Sequence, residues 1–166
     1  MILWFVTIMN YQINDYYDNY FPGDQFQNLM SISTVELFGY VAGGSLYESF
    51  KTRKVMKLFL VSYGLCLFGA LGVIFNDPEE QPVLDLTMNY LVKFAIAMAF
   101  QGVYLSNDLF PIVFASTTFG VCAMMGSSAA AISVLVIYDF ETLWPWYLFV
   151  AFTLIGILCS LLLKEH

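Results

Sequence analysis

The sequence predicts an all-α membrane protein with six transmembrane helices. Of the 166 residues, 60% are hydrophobic and 11% are charged, whereas soluble domains carry about 25% charged residues. Five apolar stretches are also long enough to cross the hydrocarbon core of a bilayer, which requires roughly 20 apolar residues in a helix. Little sequence remains for a soluble domain, so residues 1–166 are predicted to form a single transmembrane domain in contact with the lipid bilayer.

The first two predicted helices differ in polarity. The six helices are expected at 2–20, 26–47, 55–75, 83–105, 111–138 and 143–163. The first becomes polar from Asn10 onward, so it cannot face lipid along its whole length. It is expected to line an aqueous cavity, to pack on a partner, or to break near Asn14 and finish in the membrane interface. In the second helix, Gly39 and Gly43 form a small-xxx-small face that predicts close approach of another helix.

The remaining four helices follow from apolar runs and their breaks. Polar and proline residues at 76–82 separate the third helix from the fourth. The fourth contains one lysine, Lys93. Pro111 is typical of the first turn of a helix and marks the start of the fifth. Trp144 and Trp146 indicate a membrane interface at the start of the sixth.

The charge pattern predicts the orientation of the chain. Its net charge is −7, but Lys51, Arg53, Lys54 and Lys57 cluster at the loop after the second helix, while most acidic residues lie in the other loops. The positive-inside rule places this loop and both termini on the cytosolic or matrix side, in a plasma membrane or a mitochondrial inner membrane. We interpret the cluster as an orientation signal rather than a site for nucleic acid or anionic lipid, and no nucleic-acid partner is expected.

Cysteine and histidine positions argue against metal and enzyme chemistry. Cys66, Cys122 and Cys159 all fall within apolar stretches and lack metal-site spacing, which favours buried thiols over a disulfide or zinc site. His166, the last residue, is the only histidine. With no recognisable pair of nucleophile and base, no enzyme activity, cofactor or metal is expected.

Short motifs occur in an order that resembles a known family. The segments are Leu3–Val6 with Tyr11; Val35-Glu36-Leu37, similar to VELP; Glu48–Lys54, similar to DRxGRRK; Val92–Phe94, similar to GKFG; Asp108–Pro111, similar to ELYP; and Leu161–Glu165, similar to LPET. With these segments in this order, the chain resembles the carboxy-terminal half of a major facilitator superfamily transporter, most closely the organic cation/anion solute carriers. The resemblance implies two three-helix inverted repeats, forming one half of a fold whose substrate lies between two such halves.

Several positions depart from the family pattern. Ser49 and Lys51 replace an arginine and a glycine of the loop motif, and Ala115 stands where an arginine follows ELYP. In the family these charged groups pair at the helix ends and help to close one face. Ser127 stands where relatives place a charged residue, and Val134 where a proline is usual. These departures indicate that much of the gating network is missing.

Glu36 and Lys93 are the ionisable residues deepest in the apolar stretches. A single buried charge in hydrocarbon is costly, so each is expected to face the protein interior and to find a partner. Their helices are predicted to run in the same direction, at depths that differ by about one turn or less. We therefore predict that they pair, either as a coupling or substrate site or as a buried structural ion pair.

Other polar residues are candidates for cavity lining. The family resemblance implies that the first helix lines the central cavity, so Asn10, Tyr11 and Asn14 are candidates for substrate contact; the alternative is a solvated or headgroup-facing helix end. Gln101 and Tyr104 on the fourth helix are further candidates, although a hydrogen bond between helices is the favoured interpretation.

The loop after the second helix contains a candidate latch. Arg53 is expected to pair with Glu48 or with Asp108, whose loop is predicted on the same side of the membrane. An exposed pair of this kind contributes about 1 kcal/mol or less. It would hold two loops together rather than stabilise the fold.

Two functions compete for this sequence. The favoured one is a degenerate transporter-like half that serves as a non-transporting structural subunit of a larger membrane complex. The alternative is a half-transporter that moves a small organic ion together with a second six-helix half. The expected partners are accordingly other membrane subunits or that second half.

Overall fold

The chain is helical throughout most of the computed structural model, which describes residues 1–18, 25–76, 81–138 and 144–163. Within these residues there are six α-helices and one short 3-10 helix, at Ser106–Leu109. The α-helices are α1 (Ile2–Asp18), α2 (Gln25–Ser49), α3 (Lys54–Phe75), α4 (Pro82–Leu105), α5 (Ile112–Tyr138) and α6 (Trp144–Leu161). Their limits lie close to the predicted ranges, and the predicted end of the first helix, at residues 19–20, falls outside the described residues.

Successive helices alternate in direction. Gly102 of α4 lies beside Phe59 near the start of α3, and Gly72 near the end of α3 lies beside Met88 near the start of α4. These two helices are therefore antiparallel. The helix α1 is also antiparallel to α4, because its early residue Trp4 contacts Tyr104 and its late residue Asp15 pairs with Lys93.

The close approach predicted for α2 is confirmed. A Cβ atom added at Gly39 would lie 2.6 Å from both the Ala97 Cβ and the Phe94 carbonyl oxygen of α4. One turn later, a Cβ at Gly43 would lie 3.1 Å from the Gln101 Cβ. Because both residue numbers rise together, α2 and α4 are parallel. Glycine allows the two backbones to approach to a distance that a larger side chain would prevent.

The first helix packs inside the bundle, although its second half is polar. It contacts α4, α5 and α6, and the ring of Trp4 packs edge-on against Phe119 of α5 at a centroid distance of 5.3 Å. The predicted break near Asn14 is wrong, because α1 continues to Asp18. The physical reason is that Asn10 and Asn14 are buried and bonded to neighbouring helices, so the helix need not leave the bundle to satisfy them.

Burial differs strongly among the helices. Five of them, α2 to α6, contain a segment long and apolar enough to cross a membrane, and α2 and α5 are the least buried of these within the chain. Large apolar side chains such as Phe38, Met124 and Leu135 are exposed on α2 and α5. Apolar exposure on this scale fits a hydrocarbon environment or another protein rather than water.

All three cysteines are free, as predicted. Cys66 and Cys122 are buried and Cys159 is partly buried. Cys66 belongs to a core cluster with Ile13 of α1 and Trp146 of α6. The thiols therefore pack as small apolar groups between helices.

Candidate functional site

The polar residues of α1 lie along one face of the helix. Thr7, Asn10, Tyr11, Asn14 and Asp15 are spaced by three or four residues, the spacing that aligns side chains along one side of an α-helix. We refer to these five residues as the α1 polar face. Thr7, Asn10 and Asn14 are buried completely. This burial excludes the alternative of a solvated helix end for Asn10 and Asn14.

The first half of the α1 polar face bonds to α3 and α6. The hydroxyl oxygens of Thr7 and Tyr63 lie 2.8 Å apart, and Thr7 also donates to the Leu3 carbonyl at 2.7 Å. One turn later, the Asn10 side-chain amide donates to the Thr153 hydroxyl at 2.9 Å. Hydrogen bonds between membrane helices contribute on average about 0.6 kcal/mol each. They orient α1 against its neighbours as well as stabilising the bundle.

The second half of the face meets α4. The Asn14 amide donates to the Asn89 side-chain oxygen at 2.7 Å. The side-chain oxygens of Asn10 and Asn14 themselves are buried and accept no hydrogen bond within the described part of the chain. They are one helical turn apart. A buried acceptor without a donor costs about 1–3 kcal/mol, so this pair is suited to accept from a buried water or from a donor group of a ligand.

The ion pair of the site joins α1 to α4. The Lys93 ammonium pairs with the Asp15 carboxylate, and its nitrogen lies 4.2 Å from the centroid of the Tyr11 ring. The Tyr11 ring in turn meets Phe100 edge-on at 5.2 Å. Lys93 is 2% exposed, whereas the Asp15 side chain is 38% exposed. The pair thus consists of a buried cation and a carboxylate that reaches the surface of the bundle.

Glu36 lies on α2 at the level of this pair. It is half-buried, and its carboxylate accepts a hydrogen bond from the Tyr40 hydroxyl at 3.0 Å. Gly39, three residues later, packs on Phe94, which places Glu36 beside the turn of α4 that contains Lys93. The partner that the structure gives Lys93 is Asp15, and the predicted pairing of Glu36 with Lys93 stays a prediction.

The two remaining cavity candidates lie at helix contacts. Gln101 is half-buried, and its side chain lies against Gly43 and Gly44 of α2. Tyr104 is 51% exposed and its ring stacks near Phe119 at a centroid distance of 6.3 Å. Contact with substrate by either residue stays a prediction.

The latch residues lie at the link between α2 and α3 and at the 3-10 helix. Glu48 and Arg53 are both exposed, and they form no ion pair with each other in the structure. The side chain of Asp108 falls outside the described side chains, so pairing of Arg53 with Asp108 stays a prediction.

Sequence reasoning missed the partners that complete the site. Asn10 and Asn14 were named as candidates, whereas Thr153 and Asn89, which bond to them, were not, and neither was Asp15 as the partner of Lys93. One signal was available: Asn89 and Lys93 are four residues apart and therefore share a face of α4. An antiparallel α1 brings that face to its own late polar residues.

Metal binding finds no support among the described residues. Within these ranges, histidine, cysteine, aspartate and glutamate do not gather in any group of three or more that could hold a metal ion. The site is accordingly one of amides, hydroxyls and a single ion pair.

Comparison with known proteins relates the chain to transporters. It is 25% identical over 162 residues to solute carrier family 22 member 16 of Xenopus laevis, and the alignment covers 96% of this chain and 27% of that protein. No family model matches. The similarity supports a relation to transporters of the major facilitator type. Together with the five apolar helices, it describes a multi-pass membrane protein of transporter-like character.

Proposed function

We propose that this chain forms one half of a major facilitator superfamily fold, similar to the carboxy-terminal half of an organic cation/anion carrier, and acts as a non-transporting structural subunit of a larger membrane complex. The observation that carries this proposal is the bonding of the α1 polar face. Its amides, hydroxyl and carboxylate bond to α3, α4 and α6 of the same chain. Groups that a transporter half would present to substrate instead hold the bundle together.

The departures from the family pattern support the same proposal. Ser49 and Ala115 stand where the family has arginines, and Arg53 is exposed without a bond to Glu48. The resemblance implies that in a transporter these charged groups help to close one face and release it again. A subunit that is retained for its packing does not need them.

A half-transporter is the second candidate, and one observation favours it. The buried oxygens of Asn10 and Asn14 accept no hydrogen bond among the described residues. These two acceptors would become available to donor groups of a small organic ion where α1 moves away from α4 and α6 as this chain rocks against a second six-helix half. Under either proposal the chain has no enzyme activity, its basic loop and termini face the cytosol or matrix, and its membrane is the plasma membrane or the mitochondrial inner membrane.

Reconstitution distinguishes the two candidates. The chain is purified from its native membrane in mild detergent with its bound partners, and the intact assembly is placed in liposomes for uptake of labelled organic cations and anions. A structural subunit predicts equal uptake with the wild type and with Asn10→Leu/Asn14→Leu, once both variants assemble equally. A half-transporter predicts that the double variant loses uptake while Ser127→Ala, the control, retains it, because the Ser127 hydroxyl donates to the Ala123 carbonyl of its own helix.

A further inference from the structure

Four basic side chains gather where α2 meets α3. The link covers residues 50–53, so the end of α2 and the start of α3 lie at the same membrane surface. Lys51 and Arg53 are exposed there, and Lys54 and Lys57 are half-buried. We refer to these four residues as the α2–α3 basic patch. Its charge is opposite in sign to the net charge of −7 that the whole chain carries.

Aromatic rings position two of the ammonium groups. The Lys54 nitrogen lies 5.2 Å from the centroid of the Tyr47 ring, and the Lys57 nitrogen lies 5.8 Å from that of Phe50. Lys57 belongs to the first turn of α3, yet its ammonium reaches back to a residue of the link. Lysines near helix ends extend in this way so that the aliphatic stem covers apolar surface and the charge lies at the headgroups. Cation–π contact then limits where each charge can lie.

The patch carries positive charge that no ion pair among the described side chains neutralises. Among the side chains that the structure describes, the ion pair is that of Lys93 with Asp15, and none of the four basic residues of the patch takes part in one. Glu48 is the neighbouring carboxylate, and it is exposed. An orientation signal needs only positive charge in a loop, whereas here aromatic rings also position the ammonium groups of Lys54 and Lys57, and neither group takes part in an ion pair among the described side chains.

We propose that the α2–α3 basic patch binds the phosphate-bearing headgroup of an anionic phospholipid. The ligand lies in the leaflet that meets the link, with its phosphate among the ammonium and guanidinium groups and its acyl chains along the apolar surface of α2 and α3. Anionic headgroups attract basic residues next to a membrane helix by about 1 kcal/mol per residue. The site serves a structural subunit and a transporter half equally, so it does not depend on which of them this chain is.

Native mass spectrometry of the full chain in detergent micelles tests the proposal, with phosphatidylglycerol titrated against phosphatidylcholine. The test variant is Lys51→Gln/Lys54→Gln/Lys57→Gln, and the control is Thr52→Gln, which changes an exposed residue of the same link and keeps every charge. We expect each neutralisation to lower the affinity for phosphatidylglycerol about fivefold, and all three together to lower it on the order of 100-fold. The control should bind as the wild type does.

Two results would overturn the proposal. The first is equal phosphatidylglycerol binding by the wild type and the triple variant. The second is displacement of the lipid by inorganic phosphate at matched concentration, which would identify a site for a free anion. Should the triple variant aggregate, Lys51→Gln alone decides the matter: a loss of about fivefold supports the site, and an unchanged affinity rejects it.

Discussion

Removing Asp15 should destabilise the bundle more than removing Lys93, its partner in the ion pair. In Asp15→Ala, the Lys93 ammonium stays in a site where it is 2% exposed and has lost the Asp15 carboxylate. In Lys93→Met, the buried charge is gone, and the remaining Asp15 carboxylate is 38% exposed. The first variant leaves a buried ammonium without the Asp15 carboxylate, whereas the second leaves a carboxylate that can reach polar surroundings.

The burial of the two groups sets the magnitudes. Removing one partner of a buried pair costs about 3–5 kcal/mol. The Tyr11 ring remains 4.2 Å from the Lys93 nitrogen and offsets part of that cost, since a desolvated cation–π contact contributes about 2 kcal/mol. We therefore expect Asp15→Ala to lower the free energy of unfolding by about 1–3 kcal/mol. Lys93→Met should lower it by about 1 kcal/mol or less, as for a partly exposed pair.

Reversible unfolding in mixed micelles of mild detergent and dodecyl sulfate, followed by circular dichroism, measures both changes. The double variant Asp15→Ala/Lys93→Met should be close to Lys93→Met alone, because neither charge is then left buried. Two results would contradict this reasoning: equal losses of stability in Lys93→Met and Asp15→Ala, or a loss in the double variant equal to the sum of the two. Either would show that Asp15 does not stabilise the buried charge of Lys93.

Three further predictions concern packing, hydrogen bonding and orientation. Gly39→Ala should lower the free energy of unfolding by about 1–3 kcal/mol by overpacking α2 on α4. The control, Gly120→Ala, adds a Cβ that meets nothing within 4 Å and should change this free energy by less than about 1 kcal/mol. Equal losses in the two variants would contradict the close contact of α2 with α4. A double-mutant cycle of Asn14→Leu and Asn89→Leu should give a coupling free energy of about 0.6–1.7 kcal/mol in the same unfolding assay, and zero coupling would show that their bond does not stabilise the bundle. Thr52→Cys, in a background without the native cysteines, should react with a membrane-impermeant maleimide only when the cytosolic or matrix face is accessible, and labelling from the opposite face would reverse the proposed orientation.

The helices and one of their contacts could be predicted because they depend on local sequence. Bilayer thickness fixes the length of an apolar span, and together with the breaks at 76–82 and at Pro111 it predicted helices whose ends lie close to those of α2 to α6. Gly39 and Gly43 predicted a close helix contact because only small residues permit it. Neither inference required knowledge of which helix lies opposite, and the structure supplies α4 as that partner.

The site was harder to predict because it depends on rotation of helices about their axes. Depth in the membrane made Glu36 and Lys93 suitable partners, but depth does not say which face of a helix a residue occupies. Lys93 shares a face with Asn89, and that face meets α1 at Asp15 and Asn14. The polarity of α1 showed that it could not face lipid along its whole length. The three predicted arrangements of α1 differed in what surrounds the helix, which is an aqueous cavity, a partner or the membrane interface. The surroundings of a helix depend on tertiary packing. The buried hydrogen bond from Asn14 to Asn89 shows that α1 lies against α4 within the bundle.

The arrangement of polar groups also limits how another protein can bind this chain in the membrane. The polar face of α1 points inward, and the least buried spans are α2 and α5. Several exposed hydroxyl groups on these two helices donate to carbonyl oxygens of their own backbone; they are those of Ser31, Thr34, Ser45, Ser49, Ser127 and Ser128. A partner gains little from hydrogen bonds to these groups, whereas close packing is available to it at Gly120, which is open. Substitution of Gly120 by leucine should then release a packed partner while leaving the fold of this chain intact, whereas contact with lipid alone predicts no change in what copurifies.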